Sequence, residues 1–349
     1  MKVFTGYQKG INLGGWISQC VARTQEHFSN FITEKDIKQI ATWGYDHVRL
    51  PIDYDIIFTE DGKEIEEGFG RISSCISWCK AAGLNLVLDL HKTKGYMFDT
   101  AEVKDPDLFF HDKGLQDFFV NIWLVMAKRY GSMSDFVAFE LLNEIVNPNL
   151  RNEWNEIASR AFKEIRAVAK ETWIVVGGVN YNSVSAVPGI EVPVDEKTVF
   201  TFHCYEPFVF THQKAYWVEN MPSDFEVSYP GPSIEYLRAK SNEIPQARHG
   251  AIFDPAMDIL KMDENFFEIL FKPALDTAKK KNIPLYCGEY GAIDQAGAED
   301  SLRWLIDIQK ALQNNGIGRA LWTYKEKDFG LAGPHYDSVR DAIIALNSK

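Results

Sequence analysis

The chain has 349 residues, of which 46 % are hydrophobic and 13 % aromatic, so it can bury a large core. Asp and Glu number 49 against 37 Lys and Arg, and the net charge of −12 argues against a nucleic acid or an anionic membrane surface as partner. An acidic chain rich in aromatic residues suits a neutral, ring-shaped ligand better than a phosphate-bearing one.

Apolar strands and amphipathic helices alternate along the chain, and this alternation is the main architectural signal. In chain order, the predicted strands are "INLGGW", "HVRLPI", "LNLVLDLH", "VAFELLNE", "WIVVGGV", "VFTFHCY", "PLYCGEY" and "RALWTY". The predicted helices between them are one that opens at Thr33 and those at Ile72–Ala82, Leu115–Tyr130, Trp154–Lys170, Phe266–Lys280 and Leu302–Gln313. The connection after the fifth strand, "YNSVSAVPGI", has room for only a short helix.

The strands are apolar almost throughout, which is typical of parallel strands that are covered on both faces. Eight of them in about 320 residues give roughly 40 residues per strand–helix unit, which suits an α/β fold of the (β/α)8 TIM barrel type. A doubly wound open sheet is the alternative, but no G-x-G-x-x-G follows any of the strands. We therefore expect the barrel.

The segment 208–256 interrupts this alternation. It has no strand signal but carries several aromatic residues and prolines, among them Trp217, Tyr229 and Pro230. Because a structureless loop of that length is unusual in a compact domain, we expect an inserted subdomain after the sixth strand, at the rim formed by the carboxyl ends of the strands. The prediction is a single domain over residues 1–349 that contains this insertion.

The five cysteines form neither a zinc-ligand spacing nor an even-numbered disulfide framework. No apolar run approaches the roughly 18 residues of a membrane span. The start, "MKVFTGYQKGINL", lacks the apolar block of a signal peptide. We expect no membrane partner, and either a cytoplasmic protein or a secreted one whose leader has been removed.

Six of the eight predicted strands end in polar or aromatic residues where apolar ones would pack better. These residues are Arg49, His91, Asn143, Glu144, His203, Tyr205, Glu289 and Trp322. The carboxyl ends of the strands build the active site of a barrel, and burying charge is costly. The sequence therefore predicts a functional site at the strand ends.

Two of these residues, Glu144 and Glu289, are acids on the fourth and seventh strands, which can face each other across the mouth of the barrel. Hydrolysis of a glycosidic bond requires such a pair, and a retaining enzyme holds the carboxyl groups about 5–5.5 Å apart. At that distance an ionised partner raises the pKa of the other acid. Glu140, four residues before Glu144, is expected deeper in the barrel and paired with a basic group.

The motifs "HVRLP", "LDLH", "LLNE", "FHCYEPF", "YCGEYG" and "ALWTYK" follow one another in this order over essentially the whole chain. Together they resemble glycoside hydrolase family 5, a retaining (β/α)8 family of clan A. The segments "GINLGGWISQC", "FFVNIWLVMAKRYG" and "FTHQKAYW" look most similar to the single-domain bacterial endo-β-1,4-glucanases of that family.

The resemblance implies a role for each residue at the strand ends. Glu144 matches the acid/base, Glu289 the nucleophile, and Asn143 the residue that bonds the sugar 2-hydroxyl. Arg49 and Tyr205 match the groups that bond the nucleophile, and Trp322 the platform under the reacting sugar. His91 and His203 match histidines that bind the sugar ring and support the acid/base. The chain departs from close relatives at Lys92, where a second histidine is often found, so the contacts on that side are expected to differ.

Aromatic side chains stack on the flat faces of sugar rings. The candidates for such platforms are Trp16, Tyr96, Trp217 and Trp322. His212 and Gln213, at the start of the insertion, are candidates for bonding sugar hydroxyls.

These expectations describe a retaining endo-β-1,4-glucanase, a cellulase also active on mixed-linkage β-glucan, that uses two glutamates in a double displacement. Its partner is a β-glucan polysaccharide or oligosaccharide, the protein is expected to be a monomer, and neither a metal nor an organic cofactor is expected. An exo-1,3-β-glucanase or a β-mannanase stays open, since the family shares one catalytic set. A catalytically idle carbohydrate-binding barrel is disfavoured because both acids are present.

Overall fold

The computed structural model describes residues 1–20, 22–99, 104–231, 233–245, 247 and 262–348. The strands in these ranges are β1 (Gly10–Asn12), β2 (His47–Asp53), β3 (Asn85–Thr93), β4 (Tyr96–Met97), β5 (Val137–Glu140), β6 (Trp173–Gly177), β7 (Thr198–His203), β8 (Leu285–Tyr290) and β9 (Gly318–Leu321). All except β4 are parallel and run in the order β2-β1-β9-β8-β7-β6-β5-β3, and the pairing of β2 with β3 closes the ring. The predicted (β/α)8 barrel is confirmed, and β4 adds a short antiparallel hairpin to β3.

The barrel is surrounded by helices. Those in the described residues are α1 (Gln25–Asn30), α2 (Glu34–Thr42), α3 (Tyr54–Ile57), α4 (Glu66–Ala82), α5 (Leu108–His111), α6 (Lys113–Tyr130), α7 (Arg151–Val168), α8 (Phe208–Thr211), α9 (Ile234–Glu243), α10 (Glu264–Lys281), α11 (Ala298–Asn314) and α12 (Arg340–Ala345). Each predicted helix is present, and the connection after the fifth barrel strand holds only a short 3-10 helix, Val184–Gly189. Of the helices described, none is long and apolar enough to cross a membrane.

Local sequence explains where these elements begin. Thr33 caps α2 in a capping box with Asp36, which satisfies the first free backbone N–H groups of the helix. At β1, Gly10 is required because a Cβ atom there would come 2.1 Å from the His47 ring. The strand can therefore run close to its neighbour only without a side chain at this position.

The amino end of the barrel interior is filled by a separate apolar cluster, called here the amino-end cluster. Its members are Phe4, Tyr7, Val87, Ala138, Val175, Val199, Tyr286 and Ala320. A buried hydrogen-bond contact of 2.9 Å joins Tyr286 Oη to His47 Nε2 beside it. This end of the barrel interior is therefore closed by mainly apolar packing.

The described part of segment 208–256 contains α8 and α9 and no strand, as the sequence indicates. Tyr229 connects this segment to α11. Its hydroxyl donates to Asp307 Oδ2 at 2.8 Å, and its backbone carbonyl accepts from Arg303 Nε at 2.9 Å. Residues 232, 246 and 248–256 of the predicted insertion lie outside the described residues. Its status as a distinct subdomain stays a prediction.

Candidate active site

A cavity of about 550 Å³ opens at the carboxyl end of the barrel, a size suited to a small-molecule or oligosaccharide segment. The predicted residues that line it are His91, Asn143, Glu144, His203, Tyr205, His212, Trp217, Glu289 and Trp322. Arg49 is fully buried and bonds two of them, Asn143 and Glu289. The structure thus brings the predicted strand-end residues together in one place.

Strand order divides the lining of this cavity into two sides. Glu144 follows β5 and Glu289 lies on β8, so β6 and β7 form one arc between the acids, and β9, β1, β2 and β3 form the other. The β6–β7 side contributes Tyr181, Tyr205, His212 and Trp217, and the β1–β3 side contributes Gln19, His91, Trp322 and Lys327. The cavity therefore extends to both sides of the two acids.

The two acids and one histidine meet at the centre. One oxygen each of Glu144 and Glu289 and one ring nitrogen of His203 lie within 4.8 Å of one another. His203 Nδ1 is 2.7 Å from Glu144 Oε1 and 3.6 Å from Glu289 Oε2. This convergence of distant parts of the chain is the geometry that a glycosidic-bond hydrolase requires.

The backbone that carries Glu144 is held in an unusual conformation. Its φ is +24°, in a region that residues other than glycine rarely occupy and that is found at functional sites. The Tyr96 hydroxyl donates to the Glu144 carbonyl at 2.6 Å and accepts from the Val146 N–H at 2.8 Å. Tyr96 is 2 % exposed, so it braces the acid's backbone and is not the sugar platform that was predicted.

Arg49 connects Glu289 to the barrel interior. Its Nη1 donates to Glu289 Oε1 at 2.8 Å and its Nη2 to Asn143 Oδ1 at 3.0 Å. It also forms ion pairs with Glu140, at 2.8 Å, and with Asp89, at 3.0 Å. The prediction that Glu140 pairs with a basic group is therefore confirmed. We call Arg49 and the acids Asp89, Glu140, Glu144 and Glu289 the carboxyl-end network.

Glu289 receives a second donor on its other oxygen. The Tyr205 hydroxyl donates to Glu289 Oε2 at 2.9 Å, opposite the contact from Arg49. The two donors engage both oxygens of this side chain and fix its orientation. Burial, together with the nearby charge of Glu289, raises the pKa of Tyr205 well above its usual range, so its hydroxyl keeps the proton that it donates.

The other titratable groups of the centre are held neutral by burial. Burial raises the pKa of Glu144 to about 8, although the positive charge of Arg49 opposes the shift. Burial also lowers the pKa values of His203 and His91 to about 4. At neutral pH the site therefore holds a protonated Glu144 beside two uncharged imidazoles.

Trp322 and His91 form the floor of the β1–β3 side. Their rings are nearly parallel, 8° apart in plane and 5.7 Å between centroids. Gly14 permits this arrangement, because a Cβ atom there would lie 2.9 Å from the indole of Trp322. His91 is oriented by Asp89, whose Oδ2 is 2.7 Å from His91 Nδ1.

Trp16 is not in the cavity lining. It is 1 % exposed, its indole N–H donates to the Phe28 carbonyl at 2.9 Å, and its ring stacks on Trp78 at 6.0 Å. A ring with almost no exposed surface offers no face to a sugar, so the predicted substrate contact of Trp16 is corrected to a core position. Lys92, the departure from close relatives, pairs with Asp55 at 3.2 Å.

Three residues of the site are not predicted from the sequence: Asn12, Asp89 and Tyr181. Asn12 accepts from Arg49 Nη1 at 3.0 Å. Asp89 lies two residues before His91, so both side chains point to one face of β3, and this spacing is a usable signal. Tyr181 lines the cavity from the middle of three successive left-handed residues, with φ near +55° at each. Its neighbours Asn180 and Asn182 tolerate that conformation better than most residues.

The central cluster also has the spacing of a metal site. Glu144, His203 and Glu289 form the only such group of side chains in the described ranges. A guanidinium lies 2.8 Å from Glu289, however, and its positive charge opposes a cation at that position. The donor set is thus better matched to a proton-transfer pair than to a metal.

Comparison with known proteins agrees with this geometry. Residues 8–328 match the Cellulase family (glycosyl hydrolase family 5). The chain belongs to glycoside hydrolase family 5. This membership confirms the family indicated by the strand-end motifs, and the chain is accordingly an enzyme of the glycosidase class.

Two relatives of this family 5 hydrolase match most of its length. It is 41 % identical over 343 residues to Endoglucanase C of Acetivibrio thermocellus, with 97 % of each chain covered. It is 41 % identical over 314 residues to Cellodextrinase A of Ruminococcus flavefaciens, covering 90 % of this chain and 84 % of the relative. A solved endoglucanase structure has the same fold, with a TM-score of 0.76 at 21 % identity and 97 % of each chain covered.

Proposed function

We propose that this family 5 hydrolase is a retaining endo-β-1,4-glucanase that cleaves cellulose and mixed-linkage β-glucan with two glutamates. The observation that carries the proposal is the contrast between the two central acids. Glu289 accepts from Arg49 and Tyr205, while burial raises the pKa of Glu144 to about 8. Such a pair, one carboxylate and one carboxylic acid, is what a double displacement uses.

In the first half-reaction, an oxygen of Glu289 attacks the anomeric carbon while Glu144 gives its proton to the glycosidic oxygen. The bond between the anomeric carbon and that oxygen breaks, and the leaving chain departs with the proton. A glycosyl ester on Glu289 remains. Arg49 and Tyr205 keep the attacking carboxylate oriented during this step.

In the second half-reaction, Glu144 is ionised and takes a proton from water as the water oxygen attacks the anomeric carbon. The ester bond breaks, Glu289 recovers its negative charge, and the sugar is released with its original configuration. Neutral His203, 2.7 Å from Glu144, hydrogen-bonds the acid in both of its charge states. No metal or organic cofactor takes part in the proposed steps.

Binding of the reacting sugar is assigned to the β1–β3 side. Asn143 Oδ1 is engaged by Arg49, which orients the Asn143 amide N–H groups to donate to the sugar 2-hydroxyl. Trp322 offers its ring face to the same sugar, and His91, stacked parallel to it, supports the platform. Together these contacts position the anomeric carbon between Glu144 and Glu289.

Endo cleavage is favoured by the extent of the cavity, which continues to both sides of the acids. The names of the relatives, Endoglucanase C and Cellodextrinase A, support 1,4-linked glucan or its oligosaccharides as the substrate class. The lining is uncharged over much of its surface, with aromatic rings that suit neutral sugars.

The test is a product profile on carboxymethylcellulose, barley β-glucan, laminarin and mannan. We expect the viscosity of the first two to fall much faster than reducing ends appear, because chains are cut internally. Glucose released from laminarin alone would move the assignment to an exo-1,3-β-glucanase. Oligosaccharides from mannan alone would make it a β-mannanase.

A further inference from the structure

His212 lines the cavity but has no part in the mechanism above. It follows α8 on the β6–β7 side and is 8 % exposed. Its ring stacks on Phe208, at 4.2 Å and 10°, and meets the edges of Tyr205 at 5.0 Å and Phe329 at 5.4 Å. These contacts hold the imidazole in one orientation beside the residue that bonds the nucleophile.

The hydrogen bonds around Thr211 determine which ring nitrogen of His212 carries the proton. The Thr211 hydroxyl lies 2.5 Å from the Tyr205 carbonyl and 3.0 Å from His212 Nδ1. A carbonyl can only accept, so the single hydroxyl proton of Thr211 goes to Tyr205. Thr211 Oγ1 must then accept from His212, which places the imidazole proton on Nδ1.

This tautomer leaves Nε2 as an acceptor with a free lone pair. No residue in the described ranges bonds Nε2. This atom is not fully enclosed by the protein, and His212 lines the cavity, so Nε2 is open to the cavity. Burial lowers the pKa of His212 to about 3, so the ring stays neutral and Nε2 stays unprotonated. A fixed, neutral acceptor thus faces the space where substrate passes.

Gln213, the other hydroxyl-binding candidate at this position, has a different role. Its amide donates to the carbonyls of Phe210 and Val227 and accepts from the Val227 N–H. All these bonds are to backbone groups within the insertion, so Gln213 stabilises the loop and does not face the substrate.

We propose that His212 binds substrate on the leaving-group side, where Nε2 accepts a hydrogen bond from a hydroxyl of the sugar that departs with the glycosidic oxygen. The inference rests on the proposed function, in which the reacting sugar lies on Trp322 across the acids from the β6–β7 side. His212 would then favour sugar leaving groups over leaving groups that lack hydroxyls.

The test compares two substrates in His212→Phe, a variant whose flat apolar ring fits the same aromatic neighbours. On cellotetraose, whose leaving group is a sugar, we expect kcat/KM to fall about 10-fold, the effect of one lost hydrogen bond. On p-nitrophenyl β-cellobioside, whose leaving group is a phenol, we expect a change of less than about twofold. His212→Gln, which can place an acceptor near the position of Nε2, should recover part of the loss on cellotetraose.

His335→Phe is the matched control, because His335 is half-buried and lies outside the cavity lining. This variant should keep the wild-type kcat/KM on both substrates. An equal loss on both substrates in His212→Phe would overturn the inference, since His212 would then act through Tyr205 or the reacting sugar. No loss on either would also overturn it. A wild-type enzyme that cleaves neither substrate would refute the proposed function instead.

The tautomer itself gives an independent readout. In ¹⁵N-labelled protein, the two-bond proton–nitrogen spectrum of His212 should show a protonated Nδ1 and an unprotonated Nε2, with the Nε2 signal moving when cellobiose is added to Glu289→Gln enzyme. A protonated Nε2 would contradict the proposal, because that atom could not accept.

Discussion

The two ends of the barrel interior differ in what they bury. The amino-end cluster is almost entirely apolar and gains stability by leaving water. The carboxyl-end network places Arg49 among acids, where removing charge from water costs free energy that only good geometry offsets. The comparison indicates that one end of the barrel stabilises the fold. The other end accepts costly burial of charge, which raises the pKa of Glu144 and orients Glu289.

The largest expected effect is at Glu289, the proposed nucleophile. Glu289→Gln keeps the shape and the hydrogen bond to Arg49 but removes the attacking carboxylate, so turnover should fall by about 10⁴-fold or more. Reducing-sugar release from carboxymethylcellulose measures this, and calorimetric titration with cellotetraose should show that substrate still binds. Turnover near the wild-type rate would show that Glu289 is not the nucleophile.

Glu144→Gln should cost about 10²- to 10⁴-fold on cellulose, the usual contribution of a general acid. The first step on an aryl cellobioside with a good leaving group needs little proton transfer and should lose much less. Equal losses on both substrates would contradict the assignment of Glu144 as the acid.

The same acid sets a pH dependence. In the proposed mechanism Glu144 must be protonated to act. Burial raises its pKa to about 8, so kcat/KM on cellotetraose should fall as the pH rises through that value. In Glu144→Gln this alkaline limb should disappear. A limb that persists unchanged in the variant would have to come from another group.

Tyr205→Phe removes one of the two donors to Glu289 and leaves Arg49 in place. We expect a smaller loss, about 10- to 100-fold in kcat, with the unfolding midpoint in urea close to wild type. A loss as large as that of Glu289→Gln would mean that Tyr205 does more than orient the carboxylate.

The amino end should respond in the opposite way. Tyr286→Phe leaves His47 Nε2 without its buried partner, which should lower the free energy of unfolding by about 1–3 kcal/mol. Because the change lies at the far end of the barrel, kcat should stay within about twofold of wild type. A large loss of kcat in a folded variant would show that the two ends are coupled.

Periodicity and placement were enough to predict the barrel and most of its centre. Near-continuous apolar runs identified the strands, and Arg49, Glu144 and Glu289 stood out as charges at strand ends, where burial without function is costly. Glu140 lies four residues before Glu144 on the same predicted strand. This offset distinguished Glu140, an interior ion-pair partner, from Glu144 at the mouth of the barrel.

The misassigned aromatic residues show what periodicity cannot resolve. Trp16 and Trp322 both follow a barrel strand, yet one packs into the core and the other lines the cavity. Which face of a ring is covered depends on residues distant in sequence, such as Phe28, Trp78 and Gly14. The sugar-platform prediction for Tyr96 is wrong for the same reason. The hydrogen-bond partners of its hydroxyl lie in the backbone after β5, distant in sequence.

The central claim is that Glu289 becomes bonded to the sugar during catalysis. Incubation with a 2-deoxy-2-fluoro-β-cellobioside that carries a good leaving group should trap this ester, because the fluorine slows its hydrolysis. Mass spectrometry of peptic fragments should then find one added fluorocellobiosyl group, on the peptide that contains Glu289. A label on any other residue, or a first-formed product of inverted configuration, would contradict the account.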